Sequence, residues 1–220
     1  MSGEPASPDP DAAGAPPSVL ERYLEHQHRR SVPANTTIIS AGDPSNTLYF
    51  IRKGSVSVIH EDQDGHEMVL AYLNAGDFFG EIGMFDERHE RSARVRTRTP
   101  CEVVQISYQR IQELCADEPD VVLAMLMAMS LRVRDTSRKV GDLVFKDVAG
   151  RIARALLDLC EQPEAEPRAQ GIAIDITRQE LGRIVGCSRE MASRVLKSME
   201  ERGNVTVDGR TVIVHVARTG

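Results

Sequence analysis

The chain has 220 residues, a formal net charge of −6 and 41% hydrophobic residues, enough for two ordinary cores but with no apolar run long enough to cross a bilayer. The charge is uneven: from Val148 onward 11 basic residues meet 10 acidic ones, while the preceding part carries a net −7. An acidic whole therefore does not exclude a nucleic-acid-binding tail. Cys101, Cys115, Cys160 and Cys187 are scattered without paired spacing, which argues against a disulfide framework or a structural metal site and fits a reducing cytoplasm.

Residues 1–17 hold five of the eleven prolines, with no basic start and no apolar stretch, and read as a disordered tail rather than a secretion signal. Ser18–His28 reads as a short helix with Val19, Leu20, Tyr23 and Leu24 on one side. From Pro33 to Ser107 the period changes to two. Strands are expected at Thr36–Ser40, Leu48–Arg52, Ser55–His60, Glu67–Leu73, Ala93–Thr97 and Glu102–Ser107. Tight turns at Gly42, Gly54, Asp64-Gly65 and Gly76 separate several of them. In the fifth strand Ala93, Val95 and Thr97 alternate with Arg94, Arg96 and Arg98. Short strands at this spacing predict an antiparallel barrel or roll.

The next stretch changes period again. Val122, Leu126, Met129, Val133, Thr136, Val140 and Leu143 step by four and three residues, a heptad seam across three repeats. Arg132, Arg134, Asp135, Arg138 and Lys139 read as its solvated shoulders. Either this is a core helix with a harmless threonine, or it is a dimerisation helix whose Thr136 and Ser137 hydroxyls lie where two subunits meet. Val144–Asp147 reads as a connector.

Beyond it, Ala149–Cys160 reads as a helix with Ile152, Ala155, Leu156 and Leu159 inward, Gln162–Gly171 as a polar loop and Ile172–Ile176 as a strand. Thr177–Glu180 has the form of a capping box and opens a helix with Leu181, Ile184 and Val185 inward, halted at Gly186-Cys187. Ser188 can cap the next helix, which buries Met191, Ala192, Val195, Leu196 and Met199. Its outer face carries Arg189, Glu190, Ser193, Arg194 and Lys197. Two short helices joined at a glycine form a helix-turn-helix. Val205–Val207 and Thr211–Val214, joined by Asp208-Gly209 with a type I′ turn signal, add a wing.

These residues resemble the cyclic-AMP receptor protein family from about Leu20 to Thr211. The resemblance rests on Gly80-Glu81-Ile82-Gly83-Met84-Phe85, Glu90-Arg91-Ser92-Ala93, Thr177-Arg178-Gln179-Glu180 and Ile184–Met191, all in order and at the family's spacing. It implies an α+β chain: a jelly-roll-like antiparallel cyclic-nucleotide domain over 18–118, a coiled-coil dimerisation helix over 119–143, a hinge over 144–147 and a winged helix-turn-helix over 148–220. It implies a cyclic-AMP-responsive transcription regulator, homodimeric and cytoplasmic, with double-stranded palindromic DNA and RNA polymerase as partners. It implies neither a metal nor catalysis, and no nucleophile–base pair stands out.

The resemblance further implies that Gly80, Glu81, Ile82, Arg91, Ser92, Arg132, Thr136 and Ser137 bind cyclic AMP. Arg91 offers a planar fork to the phosphodiester, Ser92 a hydroxyl and the Gly80–Met84 turn free amides. Glu81 would accept from the ribose 2′-hydroxyl, and Thr136 and the partner's following serine would meet the adenine. Arg178, Gln179, Ser188, Arg189, Glu190, Arg194 and Lys197 are the implied DNA contacts, on TGTGA-like half-sites about 34 Å apart. Departures from the family include Ser193 for glycine, Lys146 for leucine and an unmatched loop at Ala165–Gln170, which puts one polymerase contact in doubt. A second, basic contact around His28 and Arg30 keeps its character. The alternative is a related regulator answering to cyclic di-GMP or active without ligand.

Overall fold

The computed structural model describes residues 19–24 and 27–215; the proline-rich tail expected over 1–17 lies outside the described residues. The chain order is α1(Val19–Leu24), β1(Arg29–Val32), β2(Thr37–Ile39), β3(Thr47–Lys53), β4(Val56–Glu61), β5(Glu67–Leu73), β6(Phe78–Phe79), α2(Ile82–Phe85), β7(Arg94–Thr97) and β8(Cys101–Ser107). Then follow α3(Tyr108–Asp117), α4(Pro119–Phe145), α5(Val148–Cys160), β9(Glu166–Arg168), β10(Gly171–Asp175), α6(Arg178–Val185), α7(Arg189–Glu201), β11(Val205–Asp208) and β12(Thr211–Val214).

The first eight strands form two antiparallel four-stranded sheets, ordered β1-β8-β3-β6 and β2-β7-β4-β5. Alternation sorts their side chains. Tyr49 and Ile51 of β3 join Val56, Leu73, Val95 and Val103 in a core between the sheets. Leu48 and Phe50 of the same strand point the other way, into a second core with Leu20, Leu24, Ile111, Val121 and Met125 from α1, α3 and α4. Because helices cover its outer face, β3 is buried on both sides and reads as a continuous apolar run rather than an alternation.

Several expectations are corrected. The described first helix spans Val19–Leu24, residues 25–26 of the expected helix lie outside the described residues, and a strand with no distinct sequence pattern, β1, follows at Arg29–Val32, pairing with Val104–Cys101 of β8. Four elements had no distinct pattern: the two-residue β6, the one-turn α2, α3, and β9, which lies inside the expected polar loop. α4 runs two residues past Leu143, to Phe145. The connector is thus only extended Lys146 and Asp147, whose carboxylate caps α5 by accepting from Gly150 N–H at 2.8 Å.

The C-terminal part has its own core, in which Ile152, Leu156 and Leu159 of α5 meet Leu181 and Val185 of α6 and Ala192 and Leu196 of α7. Gly186 ends α6 in the left-handed conformation (φ 67°), which glycine adopts without steric cost. In the wing, Asp208 pairs with Thr211, so the turn residues are Gly209 and Arg210. Of these only Gly209 has positive φ (56°), the pattern of a type II′ turn rather than the type I′ expected.

Candidate functional site

A cavity of about 520 Å³ opens between the roll and α4. Gly80, Glu81, Ile82, Arg91, Ser92, Arg132, Thr136 and Ser137 all line it, so the structure brings together the full set expected to bind ligand. Its apolar walls include Leu70, Ala71 and Leu73 of β5 and Met129, Val133 and Val140 of α4.

Arg91 is the electrostatic centre. It is 7% exposed. Its Nη1 donates to the Gly80 carbonyl (2.9 Å) and the Tyr108 hydroxyl (3.3 Å), and Nη2 donates to Thr47 Oγ1 (2.9 Å). These partners are uncharged, and Arg91 has no ion pair among the described residues. A buried cation without an anion is costly, and the cost falls when an anion is bound beside it. The guanidinium also lies 5.8 Å from the centroid of the Tyr49 ring.

The backbone around Arg91 tolerates little change. Gly80 has φ 85°, and a Cβ built there would lie 2.5 Å from Arg91 Nη1 and 3.2 Å from the Thr47 carbonyl. Only glycine lets the chain pass this close to the guanidinium. The Tyr108 hydroxyl also donates to the Gly80 carbonyl and is hydrogen-bonded to Ser45 Oγ. Sequence reasoning missed Ser45, Thr47 and Tyr108. They lie 17 to 46 residues from Arg91 in the chain, and no spacing rule links a helix-opening tyrosine to an arginine on a loop.

Glu81 is buried and faces α4, where Arg132 Nη1 meets its Oε1 at 3.3 Å. Arg132 also donates to the Phe78 carbonyl and stacks 4.7 Å above the Phe78 ring. It is therefore tucked against the roll, not a solvated shoulder of the seam. The amides of the Gly80–Met84 turn are not all free: Met84 N–H donates to the Glu81 carbonyl at 2.9 Å. Ser92 is exposed at the cavity mouth, and Thr136 and Ser137 are exposed on α4.

The seam itself is open. Val121 and Met125 turn into the roll core, while Leu126 (57% exposed), Val133 (63%) and Val140 (55%) stand clear on the other side. A contiguous apolar face of this kind on a long helix calls for a partner.

In the C-terminal part, α6 and α7 are capped as their residues predict. The Thr177 hydroxyl accepts from Glu180 N–H at 3.1 Å and Ser188 Oγ accepts from Met191 N–H at 3.2 Å. The other half of the expected capping box is replaced, for the Glu180 carboxylate accepts from the Tyr72 hydroxyl of the roll at 3.3 Å. Gly182, not singled out from sequence, is what lets the turn close: a Cβ there would lie 2.6 Å from the Cys187 carbonyl. Ser188, Arg189, Glu190, Arg194 and Lys197 are exposed along α7 and its cap, and Gln179 is exposed on α6. Arg178 reaches the wing, donating to the Gly209 carbonyl.

Among the described residues no helix is long and apolar enough to cross a membrane. The one cluster of metal-ligating type among them, Asp62, Asp64 and His66, is exposed on the β4–β5 turn and lines no part of the cavity.

The comparisons with known proteins agree with both parts. Residues 29–118 match the cyclic nucleotide-binding domain and residues 150–218 the Crp-like helix-turn-helix domain. The chain is 54% identical over 202 residues to the cAMP-activated global transcriptional regulator Vfr of Pseudomonas aeruginosa, covering 90% of this chain and 94% of that one. It is 47% identical over 199 residues to the cAMP-activated global transcriptional regulator CRP of Salmonella typhimurium, covering 90% and 95%. Among solved structures, the c-di-GMP-responsive global regulator CLP of Xanthomonas campestris superposes with a TM-score of 0.83 at 45% identity, covering 90% and 98%. The chain belongs to the Crp-type family of transcription regulators, which join a cyclic nucleotide-binding domain to a Crp-like helix-turn-helix.

Proposed function

We propose that this chain is a cyclic-AMP-responsive, sequence-specific DNA-binding regulator that acts as a cytoplasmic homodimer. The observation that carries the reading is Arg91, a buried guanidinium with neutral partners, set in a cavity whose opposite wall is the seam helix. A phosphodiester would complete that cation with charge-assisted hydrogen bonds. Ser92 would add a donor, Glu81 would accept from the ribose 2′-hydroxyl, and Arg132 would hold Glu81 in place. The base would then lie toward Thr136 and Ser137, on the face where a second α4 would pack.

Pairing two seams would cover Leu126, Val133 and Val140, and burying such side chains fully is worth roughly 1.5–3 kcal/mol each. A ligand shared between the paired helices shifts their relative setting by no more than its differential affinity for the two arrangements. The short Lys146-Asp147 connector would pass that setting to α5 and onward to α7. On DNA, Arg189 suits bidentate contact with guanine, Glu190 a cytosine amino group and Arg194 guanine or phosphate. Arg178, Gln179, Ser188 and Lys197 would hold the backbone. A twofold dimer fits a palindromic operator, and RNA polymerase would be met through the exposed basic Arg30 region.

A second reading has one observation in its favour, the likeness to a c-di-GMP-responsive regulator. Against it, of the two guanidinium groups lining the cavity Arg132 is already paired with Glu81, which leaves Arg91 for one phosphodiester, whereas cyclic di-GMP carries two. The test is calorimetric titration of the full-length protein with cyclic AMP, cyclic GMP and cyclic di-GMP, with sedimentation of the same samples. The reading expects a dimer throughout and tightest binding of cyclic AMP. A monomer, or preference for cyclic di-GMP, would overturn it.

A further inference from the structure

The hinge is not the only physical link between the cavity and the DNA-reading helices. Strand β5 touches both. Leu70, Ala71 and Leu73 line the ligand cavity. Tyr72 alternates with Ala71 and Leu73, which face the roll core, and so turns outward to pack against the C-terminal core. Its hydroxyl donates to Glu180 Oε1 of α6 at 3.3 Å. At the start of the same strand, Glu67 Oε2 pairs with Arg183 Nε of α6 at 2.8 Å, while its other oxygen meets Arg94 of β7, across the intervening β4. Glu67 is thereby fixed within the roll before it reaches across.

Both contacts end on one helix. Glu180 and Arg183 lie one turn apart on α6, and Leu181 and Val185 of α6 share a core with Ala192 and Leu196 of α7. α6 and α7 thus form one packed unit that β5 grips at two points. Tyr72 is itself held from the roll side, with the Arg98 guanidinium 4.0 Å from its ring centroid. Arg98 then pairs with Glu164 of the C-terminal part at 3.3 Å. Neither Glu67 nor Tyr72 lines the cavity, and neither lies on the recognition helix.

We propose that Glu67 and Tyr72 are positioning residues for the DNA-reading unit: β5, sensing the ligand on one face, sets α6 through Arg183 and Glu180 on the other, in parallel with the seam helix. The proposal rests on the cavity being a cyclic-nucleotide site. Tight interdomain contacts of this kind have discrete arrangements rather than a continuum, so a small shift of β5 is enough to favour one of them.

The test uses full-length Glu67→Gln, Tyr72→Phe and the double variant. Cyclic-AMP affinity is measured by calorimetry, and operator affinity by fluorescence anisotropy without and with saturating cyclic AMP. Cyclic-AMP affinity is expected to stay within about twofold of wild type, since neither side chain reaches the cavity. The gain in operator affinity produced by ligand should fall by at least about threefold in each single variant and further in the double, within the usual range of coupling strengths. Arg183→Lys, which keeps the charge, should retain most of the gain that Arg183→Gln loses. A merely structural contact would lower the melting temperature and leave the ligand-induced gain alone. An unchanged gain in the double variant overturns the proposal. A wild-type protein with no ligand-induced gain overturns instead the cyclic-nucleotide reading on which it rests.

Discussion

Arg91→Leu separates the cost of holding a cation ready from its value once an anion arrives. The guanidinium makes three hydrogen bonds to neutral oxygens, at 2.9, 3.3 and 2.9 Å. Against these stands the desolvation of a charge buried without an ion pair, a cost of several kcal/mol. The two nearly offset, so leucine should change the stability of the ligand-free protein by less than about 1 kcal/mol. The Gly80 carbonyl keeps the Tyr108 hydroxyl as a donor in the variant. For the ligand, loss of a charge-assisted contact is worth about 1.5–3 kcal/mol, or roughly ten- to hundredfold in Kd. Calorimetric titration with cyclic AMP reads the second quantity and thermal unfolding without ligand reads the first. An unchanged Kd would refute the anion role, and a collapse in ligand-free stability would show that Arg91 is a structural cation.

Three further outcomes follow from the geometry. Gly80→Ala forces a side chain into a φ of 85° and to 2.5 Å from Arg91 Nη1; it should cost about 1–3 kcal/mol in denaturant unfolding and weaken cyclic AMP as well. Thr136→Val should bind the nucleotide yet respond poorly in operator binding, and a normal response would remove this hydroxyl from the switch. Arg189→Ala should erode discrimination between operator and unrelated DNA by about 1–3 kcal/mol, and equal losses on both DNAs in gel-shift assays would count against direct base readout.

Periodicity carried most of the architecture. The heptad seam and the stripes of α5, α6 and α7 were legible because one face of each helix meets one environment. Where an element meets two, the pattern misleads. Arg132 falls on a shoulder of the seam by heptad counting, yet α4 also lies along the roll, and there Glu81 and Phe78 claim it. The same holds for Glu180, a capping-box carboxylate by spacing that is drawn instead to Tyr72 by the docking of the two domains. β6 is two residues long, too short for alternation to register, and β9 contains Pro167 and charged neighbours. Within the site, the residues lining the cavity were named through the motifs, whereas the Ser45–Thr47–Tyr108 support of Arg91 emerges only when three distant segments fold together.

The measurement that bears most directly on the whole account is the affinity of the dimer for a TGTGA-type palindrome, taken by anisotropy on the same preparation without and with saturating cyclic AMP. The account predicts at least about fivefold tighter operator binding with ligand, the lower end of ordinary allosteric coupling, and by reciprocity the same factor in cyclic-AMP affinity when operator is present. Tight nucleotide binding with identical operator affinity in both states would contradict it.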